Sequence, residues 1–329
     1  MSLNVTNAGG SGVGLSNNLE LISVMREMTT DIFDKPYLNN GYIDSTNATV
    51  FKQMSAPKGI LNWYTITGGG LFERTSEFEN FKTDAIRTNP VISYTEEKFT
   101  KRIPVSFEAV AYGDIDMGFI SLISAEMGKA ARATLNALCA SVYLNSFVTL
   151  GADGVSLLAA TAITGTTHAF GDNLVAAATA GTLTQTDIQA AVDSMLVMKD
   201  RSGLKFGGFA PVAFLTQPAD FGRVNELIDA KVDLTTNNSG SRSYVSNRYG
   251  VPVYTMAELS GLVPNIPVGY TSVMWVISGG HSVFNATATA LRTWVQPMEQ
   301  TSNAEENYMG LFHNIVGFYD GLGIVGLVF

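Results

Sequence analysis

The side chains best suited to catalysis or metal binding are few in this sequence. The histidines are His168, His281 and His313, and none has a second ligand at the spacing of a metal site. Asp153 and Asp172 flank His168, so these three could meet in one loop. Scattered polar residues of a loop explain the same pattern more simply. The sequence therefore predicts no metal site, and no cofactor is expected.

Three further features match fragments of known motifs. GGSGVG near the N-terminus lacks the lysine and hydroxyl of a phosphate loop and follows no strand. Ser55 and Lys58 match Ser-x-x-Lys, but its partner motifs do not follow. Cys139 lies inside a predicted helix, away from an activating helix N-terminus, and is expected to be a small buried apolar residue. No Gly-x-Ser-x-Gly elbow is present, so we expect no enzymatic activity.

Composition places the chain among globular proteins. It has 329 residues, 46% of them hydrophobic, and a net charge of −9. A single cysteine excludes an internal disulfide framework. The N-terminus lacks the basic start and apolar core of a secretory signal, and no apolar run reaches transmembrane length. The acidic balance argues against a sequence-reading nucleic-acid binder, which normally carries a basic stripe.

The longest predicted element is a helix from Asp116 to Phe147, about 45 Å long at about 1.5 Å per residue. Asp114 or Asp116 would cap its start, and Gly151 would end it. A narrow polar stripe at spacings of three and four comprises Glu126, Lys129, Arg132 and Asn136. The other positions are apolar or small, among them Phe119, Leu122, Ile123, Met127 and Leu135. The helix is therefore expected to be covered on most sides.

An extended ribbon is predicted before this helix. In EEKFTKRIPVSFEAV the apolar face comprises Phe99, Ile103, Val105 and Phe107. Pro104 cannot donate to a strand ladder, which predicts an edge strand. ILNWYTI upstream is a second apolar strand, and a charged and aromatic segment joins the two. Because an isolated ribbon is marginal in water, it must pack on its own domain or on a neighbouring copy.

Shorter elements are predicted around these two. The first 40 residues or so form a polar arm with one short helix, LELISVMREMTTDIF, and residues 151–183 form a surface loop or loose hairpin. Thr184 and Asp187 match a capping box before a helix. FAPVAFL is a buried strand, and TQPADFGRVNELI is a helix with Pro218 in its first turn. The last strands are VPVYTM, SVMWVI, HSVF, LRTWVQP and NIVGFYDGLGIVGLVF, with SGGH and DGLG as turns. Trp275 and Trp294 lie in strand-like runs and are expected in the core. The fold class is α+β.

The order of these elements resembles the major capsid proteins of tailed bacteriophages, which have the Hong Kong 97-like shell fold. The similarity covers roughly residues 60–329 and looks closest to the branch of Mu-like head subunits. There too an aspartate–glycine pair, a small-residue stretch and a histidine precede a helix, a turn and a strand. Lys199, Asp200 and Gly203 stand in that turn here.

The resemblance implies a division of the chain. Residues 1–45 would be an N-terminal arm, and residues 46–112 the extended β-ribbon loop lying over the adjacent subunit. Residues 113–204 would form the peripheral domain with its spine helix at 116–147. Residues 205–305 would form mainly the axial domain, and residues 306–329 would return as strands to the peripheral domain.

The resemblance also implies partners and a location. The chain would self-assemble into pentamers and hexamers of an icosahedral head in the virion, formed in the host bacterial cytoplasm. It would enclose packaged double-stranded DNA without sequence-specific binding and would contact no membrane. Only a short arm precedes the ribbon, so we expect a separate scaffolding protein or an already processed chain, together with a portal and possibly a cement protein.

The candidate contacts between subunits lie on the ribbon. They are Phe78, Phe81, Lys82, Arg87, Lys98, Lys101 and Arg102. Lys82 is also the one lysine placed for the lysine–asparagine cross-link of a few relatives. Two alternatives stay open: an encapsulin-like nanocompartment shell that encloses a cargo enzyme, and an α+β enzyme with an unrecognised site.

Overall fold

The computed structural model describes residues 41–67, 86–106, 117–204, 209–229, 250–296 and 305–329. Six strands precede the long helix, short strands and helices follow, and a run of late strands ends the chain order. In chain order the elements are β1 (Lys52–Ser55), β2 (Ile60–Trp63), β3 (Ile66–Thr67), β4 (Arg87–Thr88), β5 (Ile92–Thr95), β6 (Glu97–Ser106), α1 (Met117–Leu144), α2 (Thr161–Thr164), β7 (Leu174–Ala176), α3 (Gln185–Val197), β8 (Pro211–Thr216), α4 (Phe221–Asp229), β9 (Val253–Thr255), β10 (Val273–Ser278), β11 (Val283–Gln296), β12 (Glu305–Phe318) and β13 (Ile324–Val328). This mixture of helix and sheet confirms the predicted α+β class.

The chain divides into two compact units. The smaller comprises Met1–Lys35, Lys98–Arg132 and Thr289–Phe312; the larger comprises Pro36–Glu97, Ala133–Ala288 and His313–Phe329. The boundaries implied by the family resemblance remain a prediction. The short helix predicted in the N-terminal arm lies outside the described residues, which begin at Gly41.

A five-stranded sheet forms the core of the larger unit. Its strand order is β7-β13-β10-β8-β9, and β10 runs antiparallel to both of its neighbours. Every residue of β10 is buried, and α3 and α4 contribute apolar side chains to the same core cluster. The segment after Gly41 continues the sheet past β9, because Ile43 N donates to Thr255 O and Thr255 N donates to Gly41 O, each at 2.9 Å.

The capping box predicted for α3 is confirmed. Asp187 N donates to Thr184 Oγ1 at 3.3 Å, and Thr184 N donates to Asp187 Oδ2 at 2.9 Å. These two bonds satisfy donors that a helix start leaves unpaired. The next helix begins later than predicted: α4 starts at Phe221, so Pro218 lies in the turn before it and not in its first turn.

The long helix is present but shorter than predicted. It ends at Leu144, and Gly151 does not cap it. A β-carbon on Gly151 would lie 2.7 Å from the carbonyl oxygen of Tyr319, so glycine is required there for a close backbone approach. The predicted caps Asp114 and Asp116 lie outside the described residues.

The polar stripe of this helix is only partly exposed. Glu126 and Lys129 face solvent and form an ion pair of 2.9 Å, as a solvent face predicts. Arg132 is buried, and Leu122, predicted to be covered, is exposed. The expected cover of Leu122 was therefore wrong, because helical spacing alone does not tell which apolar or long polar side chain a neighbouring element covers.

Residues 151–183 contain many exposed positions, as a surface loop predicts, but residues 156–160 and several single side chains are buried. Leu157, Leu158 and Leu174 are buried, although small residues surround them in the sequence. The Asn173 side chain holds the segment in place: Nδ2 donates to the carbonyl oxygens of Leu157, Gly321 and Ile324, and Oδ1 accepts from Ala159 N. Buried backbone groups of an irregular segment need partners, and this amide provides four.

The late strands differ from prediction at one point. The predicted strands HSVF and LRTWVQP overlap a single 14-residue strand, β11, which runs from Val283 to Gln296. It lies in a four-stranded sheet of order β1-β11-β12-β6, in which β6 occupies an edge, as Pro104 predicted. SGGH and DGLG form the predicted turns on either side of the long strands.

Candidate assembly surface

A short antiparallel ribbon is rooted on the core of the larger unit. β2 pairs with β5, and Leu61 and Trp63 of β2 stand opposite Tyr94 and Ile92 of β5. Leu61, Trp63 and Tyr94 pack on a buried apolar cluster made of Ala56, Phe284, Ala286 and Ile315. The rings of Trp63 and Tyr94 lie 5.1 and 5.3 Å from the ring of Phe284. One face of the ribbon base is therefore fixed to its own chain.

Two tyrosine hydroxyls fasten this base. Tyr94 donates to the carbonyl oxygen of Phe318 at 2.6 Å, and Tyr319 donates to the carbonyl oxygen of Pro90 at 2.6 Å. Burial raises the pKa of Tyr94, although the hydrogen bond to Phe318 opposes that shift. The phenol therefore stays protonated and keeps its role as donor.

The ribbon continues beyond its base through a second strand pair. β3 pairs with β4, and Asn89 bridges back to Thr65 by Asn89 N to Thr65 O at 2.9 Å and Nδ2 to Thr65 Oγ1 at 2.8 Å. These hydrogen bonds of Asn89 keep the two sides of the ribbon in register between the β2–β5 and β3–β4 pairs.

The outward face of the ribbon exposes several large apolar side chains among polar ones. From Ile60 to Thr67 exposure alternates with period two, and the exposed positions include Ile60, Tyr64 and Ile66. On the other side of the ribbon, next to β4 and β5, Ile86 and Val91 are exposed as well. The exposed fractions of Ile66 and Ile86 are 62% and 76%. An outward strand face is normally polar, so these side chains form a candidate contact surface.

The predicted contact residues fall on two separate strands. Arg87 lies exposed on β4 of the ribbon, whereas Lys98, Lys101 and Arg102 lie exposed on β6. Arg102 Nε donates to Asn307 Oδ1 at 2.6 Å. Phe78, Phe81 and Lys82 lie outside the described residues, so the cross-link expected of Lys82 stays a prediction.

β6 is not the second strand of the ribbon. The prediction paired ILNWYTI with the strand of Lys98 to Val105, but ILNWYTI pairs with residues 87–95, and β6 belongs to the four-stranded sheet. The alternation predicted in β6 is confirmed, because Phe99, Ile103 and Val105 are less exposed than the residues between them. Phe99 stacks on Phe312, with ring centroids 5.0 Å apart. The exposed isoleucines of the ribbon were not among the predicted contacts, although the period of two in ILNWYTI already places them on one face.

The residues suited to chemistry form structural contacts. Asp153 Oδ2 and His168 Nδ1 do meet, 2.6 Å apart, and the His168 ring stacks on Phe170. Asp172 accepts from Thr161 N and Oγ1, and hydrogen bonding, first from Thr167, lowers the pKa of its carboxyl. No group of three potential metal ligands occurs within the part of the chain that the structure describes.

The other two histidines also bind within the fold. His281 Nε2 donates to the carbonyl oxygen of Thr49 at 3.1 Å, and His313 Nδ1 lies 3.0 Å from Glu96 Oε2. Burial, followed by the charge of Lys52, lowers the pKa of His281 to about 4. His281 is therefore neutral at pH 7.

The cysteine and one tryptophan are core residues. Cys139 is fully buried, and burial raises the pKa of its thiol, as expected for a small apolar residue and not for a nucleophile. Trp275 is fully buried, which confirms its predicted place in the core. Trp294 is exposed, contrary to prediction. Among the helices that the structure describes, none has the length and hydropathy to cross a bilayer.

Comparison with solved structures finds this fold in virus shells. The capsid structure of the Cyanophage P-SCSP1u is similar over 91% of this chain and 93% of its own, with a TM-score of 0.57 and 12% identity. The mature capsid of bacteriophage PhiM1 is similar over 90% and 89%, with a TM-score of 0.55 and 12% identity. The capsid of an empty GTA particle is similar over 90% and 92%, with a TM-score of 0.50 and 15% identity. At these identities the similarity shows the fold.

Sequence comparison identifies the family. No curated protein sequence matches the chain significantly. A family model described as "Phage capsid protein" matches residues 90–318, which is well over half of the chain. The match includes part of the ribbon, the long helix and most of the late strands. The chain therefore belongs to the phage capsid protein family.

Proposed function

We propose that this capsid protein holds its neighbours in an icosahedral head shell by laying its ribbon over the adjacent subunit. As a phage capsid protein it is a major structural component of the virion and associates with copies of itself. The proposal concerns the means of that association. The ribbon is attached at its base to its own chain, and its outward face contacts the adjacent subunit.

The observation that carries this proposal is the apolar outward face of the ribbon. Its inward face packs on Phe284 and neighbouring core residues, so among the described residues the packing lies on one side of the ribbon. Ile60, Tyr64 and Ile66 on the other side remain exposed. Burying one large apolar side chain contributes roughly 1.5–3 kcal/mol of favourable free energy. A neighbouring copy that covers this face would therefore be held to it by several such contributions.

Charge favours the same arrangement. The chain has 29 acidic and 20 basic side chains, so a second copy offers more acidic than basic groups. Arg87 on the ribbon and Lys98, Lys101 and Arg102 on β6 present cations on exposed strands. In the proposed shell these four cations contact acidic groups of neighbouring copies and orient the approach of subunits. We propose that Phe78, Phe81 and Lys82 also contact the neighbouring copy.

The proposed shell consists of pentamers and hexamers around packaged double-stranded DNA. An acidic chain suits this role, because a strongly basic inner wall would bind DNA by releasing its counterions. We further propose a separate scaffolding protein and a portal as partners during assembly, with a cement protein where the shell needs reinforcement. The shell would form in the bacterial cytoplasm.

The test is particle assembly by variants of the ribbon face. Ile66→Asp places a charge at the centre of the proposed contact, while Val197→Asp makes the same change at an exposed position on α3. Each chain is expressed alone and together with its genomic neighbours, and negative-stain electron microscopy counts closed shells. We expect shells from wild type and Val197→Asp and none from Ile66→Asp.

Three results would contradict the proposal in different ways. Normal shells from Ile66→Asp would remove the ribbon from the contact. Particles without nucleic acid and with the diameter of a small compartment would favour an encapsulin-like shell. A monodisperse monomer under every condition would overturn the assembly role itself. Circular dichroism of the variants separates lost assembly from lost folding.

A further inference from the structure

The loop from Gly261 to Ser272 presents the two most exposed large hydrophobic side chains of the described part of the chain. It connects a short 3₁₀ helix, Ala257–Ser260, to β10. Leu262 is 93% exposed and Val268 is 101% exposed. Single exposed aliphatic residues are ordinary on a protein surface, but two nearly complete exposures six residues apart in one loop are not.

The loop is held rigidly at both ends. Gln217 Nε2 donates to the carbonyl oxygens of Leu259 and Gly261, at 3.3 and 3.0 Å. Val263, directly after Leu262, is buried and anchors the first half of the loop.

The second half of the loop is fastened to the chain terminus. Tyr270 N donates to Pro267 O at 3.1 Å, and the backbone N–H groups of Thr271 and Ser272 both donate to Phe329 O. Pro264 and Pro267 further restrict the backbone between the anchors. Exposed side chains on such a loop lose little conformational entropy when they bind, which favours a contact role.

The loop also lacks charge. No Asp, Glu, Lys or Arg occurs from Leu259 to Leu291. Two copies of a chain with a net charge of −9 repel each other overall. An uncharged apolar loop is a place where two copies can meet without that repulsion.

We propose that Leu262 and Val268 anchor a contact with a second copy of this chain, separate from the contact of the ribbon. The inference rests on the proposed shell function, because only an assembling chain supplies its own partner at high local concentration. Rigid presentation, apolar anchors and missing charge all fit a self-association surface. The ribbon face and this loop would then be two distinct contacts in one shell.

The first experiment measures association of the double variant Leu262→Ser, Val268→Ser. Sedimentation velocity of the full chain gives the concentration at which half of it is in oligomers. We expect that concentration to rise at least about tenfold, as truncation of interface anchors usually does. The matched control is Val197→Ser, also at an exposed valine, and should change it less than about twofold.

The outcomes separate this inference from the function on which it rests. If wild type forms oligomers and the double variant reaches half association at the same concentration, the loop contact is overturned and shell assembly stands. A wild-type chain that stays monomeric would overturn both. A double variant that shows a wild-type circular dichroism spectrum but weaker association supports the contact.

A second experiment identifies the occupant directly. Val268→Cys, labelled with a benzophenone maleimide, is photolysed in assembled particles made from equal amounts of isotopically light and heavy chains. The natural thiol of Cys139 is buried and does not compete for the label. Mixed light–heavy cross-links are expected. Cross-links confined to one isotope, such as to the chain's own residues 1–40, or to another protein, would overturn the inference.

Discussion

The hydroxyl of Tyr94 donates a 2.6 Å hydrogen bond to the carbonyl oxygen of Phe318, 224 residues later in the chain. This bond joins the base of the ribbon to the end of β12, beside the buried ring of Phe284. A β-carbon on Gly317 would lie 2.7 Å from the Tyr94 ring, so the preceding glycine leaves space for that ring. Tyr94 therefore links the ribbon base to the end of β12 by a hydrogen bond and by ring packing.

Removal of this hydroxyl should loosen the ribbon base. In Tyr94→Phe the carbonyl of Phe318 loses its side-chain donor, and the free energy of unfolding should fall by about 1 kcal/mol. Urea unfolding of the unassembled chain measures it. Ser93→Ala, which removes an exposed hydroxyl bonded to Asn62, is the control and should change stability less. An equal loss in both variants would show that Tyr94 has no special role.

Asn173 should be one of the least replaceable polar residues. Asn173→Ala removes four hydrogen bonds and leaves three buried carbonyls, those of Leu157, Gly321 and Ile324, without that donor. We expect a loss of about 3 kcal/mol or more, because each unsatisfied buried group costs about 1–3 kcal/mol. Asn62→Ala, at an exposed amide, is the control. Denaturant titration in which Asn173→Ala unfolds like wild type would contradict the network.

The ion pair between Arg201 and Asp320 should stabilise the turn before β13. Arg201 Nε and Nη2 donate to the two carboxylate oxygens at 2.5 and 2.8 Å, and Asp320 is buried. Asp320→Asn leaves a cation facing a neutral amide, and we expect a loss of about 3 kcal/mol. Arg201→Lys should also destabilise, because lysine lacks the paired donors of a guanidinium.

The control for this pair is an exposed one. Glu126→Gln breaks the ion pair with Lys129 on the solvent side of α1 and should leave the urea midpoint unchanged. If Asp320→Asn behaves like Glu126→Gln, the pair between Arg201 and Asp320 contributes no more than a surface contact.

Acid should weaken the fold through His281. Its pKa is about 4 in the folded chain and 6.5 for an unperturbed histidine. Between these values the unfolded chain takes up a proton that the folded chain does not, so stability is full above pH 6.5 and falls as the pH drops toward 4. From pH 8 to pH 5 the loss from this residue should be about 2 kcal/mol.

His281→Gln tests this assignment, because glutamine can donate to Thr49 O without titrating. Urea unfolding at pH 8 and pH 5 should show a loss smaller by about 2 kcal/mol in the variant than in wild type. Equal losses in the two chains would assign the acid sensitivity to other groups.

Local chemistry in the sequence predicted many elements well. The capping box of Thr184 and Asp187, the buried strand β8 and the alternation of β6 all follow from residues within a few positions of each other. Pro104 predicted an edge strand for the same reason, since a missing N–H is a property of one residue. The family resemblance in element order was confirmed by the family match.

Long-range packing decided what the sequence left open. The period of two in ILNWYTI predicts a strand, and both faces of this strand carry apolar side chains. The pattern alone therefore does not indicate which strand pairs with it. The partner proved to be residues 87–95, and β6 joined another sheet. The same limit explains the uncovered Leu122 and the buried Arg132.

The sequence by itself determined the long helix, most strands, the acidic charge and the type of each local cap or turn, because these depend on neighbouring residues. Only the tertiary structure decided that residues 156–160 are buried, that Gly151 serves a close approach, and that Ile60, Tyr64 and Ile66 of the ribbon are exposed. Each of these depends on contacts between distant segments, such as the bonds from Asn173 to Gly321 and Ile324. Small residues and a single amide carry no local pattern, so their burial follows from where the fold brings the carbonyl groups around them.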